Sequence, residues 1–308
     1  MLYSDILETI GGTPMIRLNK IAPKGAADIY VKMESFNPSG SVKDRASISM
    51  IRDAETKGLL KKGYSIVEPT SGNTGIGIAM IAAVLGYKAV IVMPDSMSAE
   101  RMRLIRAYGA EVVLTKGSDG MAGAVRKAEE LVAAGKAFMP QQFSNHANVM
   151  AHYTGTAKEI LLDVPDVSAV VAGIGTGGTA TGMGMGMRNF SPDVKIIGVE
   201  PFESPLLTEG RSGPHGIQGI GANFVPTILN REYIDEIVTV KEKEAIEMTR
   251  RLAAEEGMLA GISSGAAVHA AVNIAERYGM GKKIVAILAD DGERYMSTGI
   301  YEKVLKRR

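Results

Sequence analysis

The chain has 308 residues, 45% hydrophobic and 22% charged, enough for one large core or two interlocked ones and unlike disordered or fibrous chains. Its 35 basic and 34 acidic residues leave a formal charge of +1, so no long-range field draws in nucleic acid or an anionic membrane. Cysteine is absent, which excludes disulfides, thiolate metal sites and cysteine nucleophiles. With no signal-peptide pattern near Met1–Arg17 and no apolar run near the ~20 residues of a membrane span, a cytoplasmic protein is expected.

Val- and Ile-rich runs alternate with segments of helical spacing from end to end, which predicts an α/β fold with parallel sheet covered by helices. A strand over Ile29–Met33 leads through the turn Asn37-Pro38-Ser39-Gly40-Ser41 into a helix near Val42–Lys57, with Lys43 in its first turn. A cation is unfavourable at a positive helix end, so an anion or a covalent bond is expected to compensate, unless Lys43 reaches solvent or pairs with Asp44. The strand Tyr64–Glu68 runs into Pro69-Thr70-Ser71-Gly72-Asn73-Thr74-Gly75 and a helix over Thr74–Leu85. The hydroxyls and N–H groups of that turn suit a carboxylate, although Ser71, Asn73 and Thr74 are also good helix caps.

Strands at Ala89–Met93 and Glu111–Leu114 then alternate with helices at Ala99–Ala107, Gly120–Ala134 and Asn148–Leu162. The strand Ser168–Ile174 meets a turn, Gly173 to Thr179, that opens a helix and so offers backbone N–H groups to a phosphate. Gly173, Gly175 and Gly178 also satisfy G-x-G-x-x-G, and Glu200 closes the next strand, Val194–Val199, so this turn by itself would equally suit a nicotinamide enzyme. Residues 200–230 are irregular, with Pro201, Pro205, Pro214 and Pro226, and a loop of that length in a compact domain is expected to be functional or a surface excursion. A helix near Lys241–Glu256, a small-residue turn from Ala260 to Ala267, a helix over Ser264–Tyr278 and a strand over Lys283–Ala289 complete the pattern, and Lys303, Lys306, Arg307 and Arg308 read as a solvated helix end. The histidines His146, His152, His215 and His269 have no metal-site spacing, so no metal is expected. The H-E-x-x-H of zinc peptidases and the G-K-[ST] loop of P-loop enzymes are missing.

Taken in order, Asn37-Pro-Ser-Gly-Ser-Val-Lys-Asp-Arg45, Pro69-Thr-Ser-Gly-Asn-Thr-Gly75, Gln141-Gln-Phe-Ser-Asn145, Gly175-Thr-Gly-Gly-Thr179, Gln218-Gly-Ile-Gly-Ala222, Gly261-Ile-Ser-Ser-Gly265 and Gly292-Glu-Arg-Tyr295 resemble the cysteine synthase family, the O-acetylserine sulfhydrylases. The resemblance runs in register from Ile10 to about Tyr301. It implies the tryptophan synthase β-like fold of pyridoxal 5′-phosphate enzymes (fold type II), with two three-layer αβα domains and mostly parallel sheets. The larger, cofactor-binding domain would comprise residues 1–45 and 148–308, and residues 46–147 would form a smaller inserted domain that closes over substrate.

Carried over by position, the resemblance makes Lys43 the residue that forms an imine with the cofactor and serves as catalytic base. Asn73 would bond the ring oxygen, Gly175, Thr176, Gly177, Gly178 and Thr179 the phosphate, and Ser263 the pyridine nitrogen. Thr70, Ser71, Gly72, Thr74 and Gln142 would bind the amino acid's carboxylate, while Gly219, Gly221, Ala222 and Asn223 line the entrance. The implied activity is replacement of the acetoxy group of O-acetyl-L-serine by sulfide through an aminoacrylate, giving L-cysteine and acetate. Related activities on L-cysteine or L-serine, including sulfide release and lanthionine or cystathionine synthesis, stay open because Asn223 stands where the family commonly has glycine. The family also implies a homodimer and, as a partner, the C-terminal tail of serine acetyltransferase; a non-catalytic partner of that enzyme is the remote alternative.

Overall fold

A computed structural model describes residues 2–97 and 99–302, so the basic tail at Lys303, Lys306, Arg307 and Arg308 lies outside the described residues. In chain order, β1 (Met15–Arg17) and β2 (Asp28–Met33) precede α1 (Lys43–Thr56), β3 (Ser65–Pro69), α2 (Asn73–Leu85), β4 (Lys88–Pro94), α3 (Ala99–Ala107), β5 (Glu111–Thr115), α4 (Gly120–Ala133) and β6 (Ala137–Phe138). Next come α5 (His146–Ala151), a π-helical turn (His152–Thr156), α6 (Ala157–Asp163), β7 (Ala169–Gly173), α7 (Gly178–Phe190), β8 (Lys195–Pro201) and α8 (Leu206–Glu209). The chain continues with β9 (Glu236–Val240), α9 (Glu242–Glu256), α10 (Ile262–Tyr278) and β10 (Lys283–Leu288). Among the described residues, no helix is long and apolar enough to cross a membrane.

The chain divides into two compact units, one of Met1–Ile10 with Asn37–Asn148 and the other of Gly11–Phe36 with Val149–Arg308. The break expected after residue 45 falls inside α1, whose Ile51 and Ala54 pack into the core of the first unit with Ile66, Ile76 and Ile91. Lys43 therefore belongs to the first unit.

In that unit four parallel strands lie in the order β5-β4-β3-β6. Its central helix α2 buries Ile76, Ile78, Ala79, Met80, Ile81 and Ala82 in succession, so it is apolar all round as a core helix must be. Each such Ile contributes about 1.5–3 kcal/mol on burial. The second unit has six strands in the order β1-β2-β10-β7-β8-β9, all pairs parallel except β1 with β2. Its interior strands β7 and β10 are apolar on both faces, as a parallel sheet covered by helices requires.

Both sheets reverse direction once. In the first, β3, β4 and β5 step outward and β6 returns to the other flank of β3; in the second, β7, β8 and β9 step outward and β10 returns to the other flank of β7. The crevice beyond the carboxyl ends of the strands at such a switch point is where open α/β sheets bind ligands. The turns after β3 and β7 stand at these two points.

The seven predicted strands are all present. β1 and β9 escaped prediction because they are edge strands with little alternation or full burial, and β6 because it has two residues. The helix predicted over Asn148–Leu162 is interrupted by the π-turn, which widens where α7 comes closest. A Cβ on Gly182 would lie 2.2 Å from the Val149 carbonyl oxygen and 2.7 Å from the His152 Cβ.

Candidate active site

In the first unit, Lys43 is the first residue of α1, and its N–H reaches the Ser41 hydroxyl at 3.3 Å. The buried Asp44 carboxylate accepts the Ser39 N–H at 2.6 Å and the Ser39 hydroxyl, so it braces the turn that delivers the lysine. Helix α2 packs closely on this start: a Cβ on Gly77 would meet Asp44 Oδ1 at 3.0 Å, Ser47 Oγ at 3.1 Å and the Lys43 carbonyl oxygen at 3.5 Å. The Asn37–Arg45 and Pro69–Gly75 motifs, read separately in the sequence, are thus neighbours.

Asn73 opens α2 directly after Gly72, whose backbone is extended and whose N–H donates to Thr70 Oγ1 at 3.3 Å. A Cβ on Gly72 would meet nothing within 4 Å, while one on Gly75 would press on Ile91 and Thr70. The Thr74 hydroxyl donates to Gln142 Oε1 at 2.6 Å, and Gln142 Nε2 reaches Thr70 Oγ1 at 3.5 Å. Three of the five residues expected to bind a carboxylate are therefore linked, with Ser71 and Gly72 between them in the turn. The Gln142 segment is held by Glu68 of β3, which accepts the N–H groups of Gln141 and Gln142 at 2.9 and 3.1 Å. Burial pushes the Glu68 carboxyl up to about 7, with the two N–H bonds acting against that rise.

In the second unit, the Gly173–Thr179 turn joins β7 to α7, and Gly177 takes a left-handed φ of +84° as the last residue before the helix. Its closeness to other segments requires glycine. A Cβ on Gly175 would lie 2.4 Å from the Gly219 carbonyl oxygen, and one on Gly177 would lie 2.8 Å from the Leu229 Cβ. The Gly221 N–H donates to the Ile174 carbonyl at 3.0 Å, tying the 219–223 loop to the same turn. A Cβ on Gly219 would in turn stand 3.6 Å from the hydroxyl of Ser263, the buried second residue of α10. Asn223 holds a φ of +63°, and its Oδ1 accepts the Ser204 hydroxyl at 2.6 Å. This loop lies within the irregular stretch of residues 200–230 and packs against the Gly173–Thr179 turn.

Two contributors were missed in the sequence besides Glu68. His152 is buried, with Nε2 at 3.2 Å from the Thr179 hydroxyl and Nδ1 at 3.0 Å from Thr156 Oγ1, so the π-turn positions one end of the glycine turn. Its i, i+4 spacing from Thr156 was the available signal. Asp44 is the other, through its bonds to Ser39 in the turn before Lys43.

In the second unit, the turn from Gly175 to Thr179 suits an anion. The Gly175 turn presents N–H groups at a helix start where any side chain would collide with backbone, and a hydroxyl follows on the far side of Gly219. A family model described as pyridoxal-phosphate dependent enzyme matches residues 6–290. The chain belongs to this family. It is 50% identical over 299 residues to a cysteine synthase of Staphylococcus aureus (strain Mu50 / ATCC 700699), with 96% of both chains covered. Among solved structures it is similar to the cysteine synthase (OASS) of Entamoeba histolytica, with a TM-score of 0.94 at 43% identity over 98% of this chain and 91% of that one. An O-ureido-L-serine synthase is similar too, with a TM-score of 0.96 at 48% identity over 99% and 96% of the two chains. The fold is that of the type II pyridoxal-phosphate enzymes, and the nicotinamide alternative raised by G-x-G-x-x-G is set aside.

Proposed function

We propose that the protein is a cytoplasmic cysteine synthase, replacing the acetoxy group of O-acetyl-L-serine with sulfide to give L-cysteine and acetate. The observation that supports this reading most is the stacking of Gly175 on Gly219 and of Gly219 on Ser263, three segments far apart in the sequence. In this reading Lys43 holds pyridoxal phosphate through its side-chain nitrogen, and Asn73 donates to the ring oxygen. The backbone N–H groups from Gly175 to Thr179 hold the phosphate, and the Ser263 hydroxyl meets the ring nitrogen.

The cofactor, when bound, supplies an electron sink that acidifies the Cα proton of an attached amino acid. Lys43 Nζ takes that proton and later returns it to Cα, so one side chain serves as base and acid. The Ser263 hydroxyl, unlike a carboxylate, does not hold a proton on the ring nitrogen, which favours loss of the β-substituent over transamination. Thr70, Ser71, Gly72, Thr74 and Gln142 bind the substrate carboxylate, and the Thr74–Gln142 bond orients both before substrate arrives. Gly219, Gly221, Ala222 and Asn223 line the entrance, where the Ser204 bond fixes the Asn223 amide.

The test mixes purified holoenzyme with O-acetylserine and then sulfide, and separately with cysteine alone, following the cofactor spectrum and the products. Acetate release followed by cysteine formation is expected, with ping-pong kinetics. Sulfide release from cysteine without synthesis would overturn the direction proposed. The likeness to an O-ureido-L-serine synthase favours a second reading in which the nucleophile is hydroxyurea, as the structure of that product requires, and a parallel assay with hydroxyurea separates the two. Assembly as a homodimer and binding of a serine acetyltransferase tail belong to the same proposal, and analytical ultracentrifugation with and without that tail peptide tests both.

A further inference from the structure

At the switch point of the first sheet stands a buried carboxylate that no ion pair supports among the described residues. Glu68 is 1% exposed, and its two oxygens each accept one of two successive backbone N–H groups, Oε2 from Gln141 and Oε1 from Gln142. Gln141 takes a φ of +58°, a conformation that L residues rarely adopt and that turns neighbouring N–H groups toward one anion. The strain is therefore held in place by the carboxylate.

The charged side chains of the elements packed on β3 do not offset this charge. Helix α2 and strand β6 carry none; β4 carries Lys88, which is exposed; and α4 carries Arg126, Lys127, Glu129 and Glu130. Of these, Lys127 pairs with Glu130 at 2.9 Å and Arg126 approaches Asp119 at 4.0 Å. The rest of the loop is equally committed. The Gln142 carbonyl accepts Asn148 Nδ2 at 2.9 Å, and the Gln142 side chain lies between Thr74 and Thr70.

We propose that Glu68 is the positioning residue for amino-acid recognition: its carboxylate pins the Gln141–Gln142 peptide so that the Gln142 amide is preset, with Thr70 and Thr74, to receive a substrate carboxylate. This rests on the carboxylate role proposed above for those three residues. Glu68 itself need not touch substrate. It acts through the main chain of the segment that does. Because burial pushes its carboxyl up to about 7, protonation near neutrality converts one of the two acceptor oxygens into a donor and releases one N–H. Recognition of the amino acid thereby weakens below neutral pH.

Holoenzymes carrying Glu68→Gln and, separately, Gln142→Ala are titrated with O-acetylserine, and amide hydrogen exchange is followed over residues 139–145. For Glu68→Gln, KM for O-acetylserine is expected to rise about tenfold, the effect of losing roughly one charge-assisted hydrogen bond, with kcat changed much less. Exchange at Gln141 and Gln142 should accelerate, and KM for sulfide should stay at the wild-type value. Wild-type KM for O-acetylserine beside raised KM in Gln142→Ala would overturn the positioning role while leaving the carboxylate reading intact. Wild-type KM in both variants would overturn both. Should Glu68→Gln fail to fold, the wild-type enzyme decides: KM for O-acetylserine should climb as pH falls from 8 to 6, and a flat profile overturns the proposal.

Discussion

Replacing Gly175 by alanine probes the turn proposed to hold the phosphate at its tightest point. The added Cβ would stand 2.4 Å from the Gly219 carbonyl oxygen, whereas a carbon–oxygen contact needs about 3.3 Å. The two loops must separate by roughly 0.9 Å, and neither partner is the flexible end of a side chain. Overpacking of this kind costs about 1–3 kcal/mol. If the cost falls on the geometry that binds cofactor, affinity drops by roughly 5- to 150-fold, since 1.4 kcal/mol is a factor of ten. If it falls on the fold, Tm drops by about 2–4 °C for each kcal/mol. Differential scanning calorimetry of the apoprotein, with a titration of pyridoxal phosphate followed by absorbance, separates these contributions. Gly72→Ala is the matched control, because its Cβ would meet nothing within 4 Å and its backbone is extended. It should keep Tm and cofactor affinity and weaken only the binding of the amino acid. Unchanged Tm and unchanged cofactor affinity in Gly175→Ala would refute the argument that the turn is sized for backbone alone.

Lys43→Ala should eliminate the yellow colour and the borohydride-reducible adduct while leaving the unfolding free energy of the apoprotein within about 1 kcal/mol of wild type, since the side chain opens α1 rather than filling the core. Ser263→Ala should lower kcat about tenfold or more and change cofactor affinity less, because the phosphate contacts remain; equilibrium dialysis beside steady-state kinetics distinguishes the two effects. Glu68 also makes stability pH-dependent. Its folded-state value of about 7 exceeds the ordinary 4.5, so the folded protein holds a proton that the unfolded chain releases between these values. Stability is therefore fully present below pH 4.5 and is lost as pH rises toward 7, by up to about 3 kcal/mol. Urea unfolding across that range should show this slope in the wild type and its absence in Glu68→Gln.

The local chemistry of the chain was legible from residue order. Short runs apolar on both faces, such as Lys283–Leu288, declare interior parallel strands, and small-residue turns at Gly72 and Gly175 declare helix starts able to bind anions, because propensity, periodicity and backbone freedom act over a few neighbouring residues. Tertiary structure decided which distant segments meet within each unit. Glu68 braces Gln142 across 74 positions because strand order returns β6 beside β3, His152 reaches Thr179 across 27 because α7 packs on the π-turn, and Gly175 rests on Gly219 because the Gly221 N–H bonds the Ile174 carbonyl. A carboxylate in a strand, a histidine in a helix or a glycine in a loop carries no local mark of its distant partner, and no periodicity within a segment encodes the order in which segments pair. Burial in turn supplies what the residue type alone lacks: Glu68 becomes a brace that titrates near neutrality only because the sheet and its helices exclude water from it.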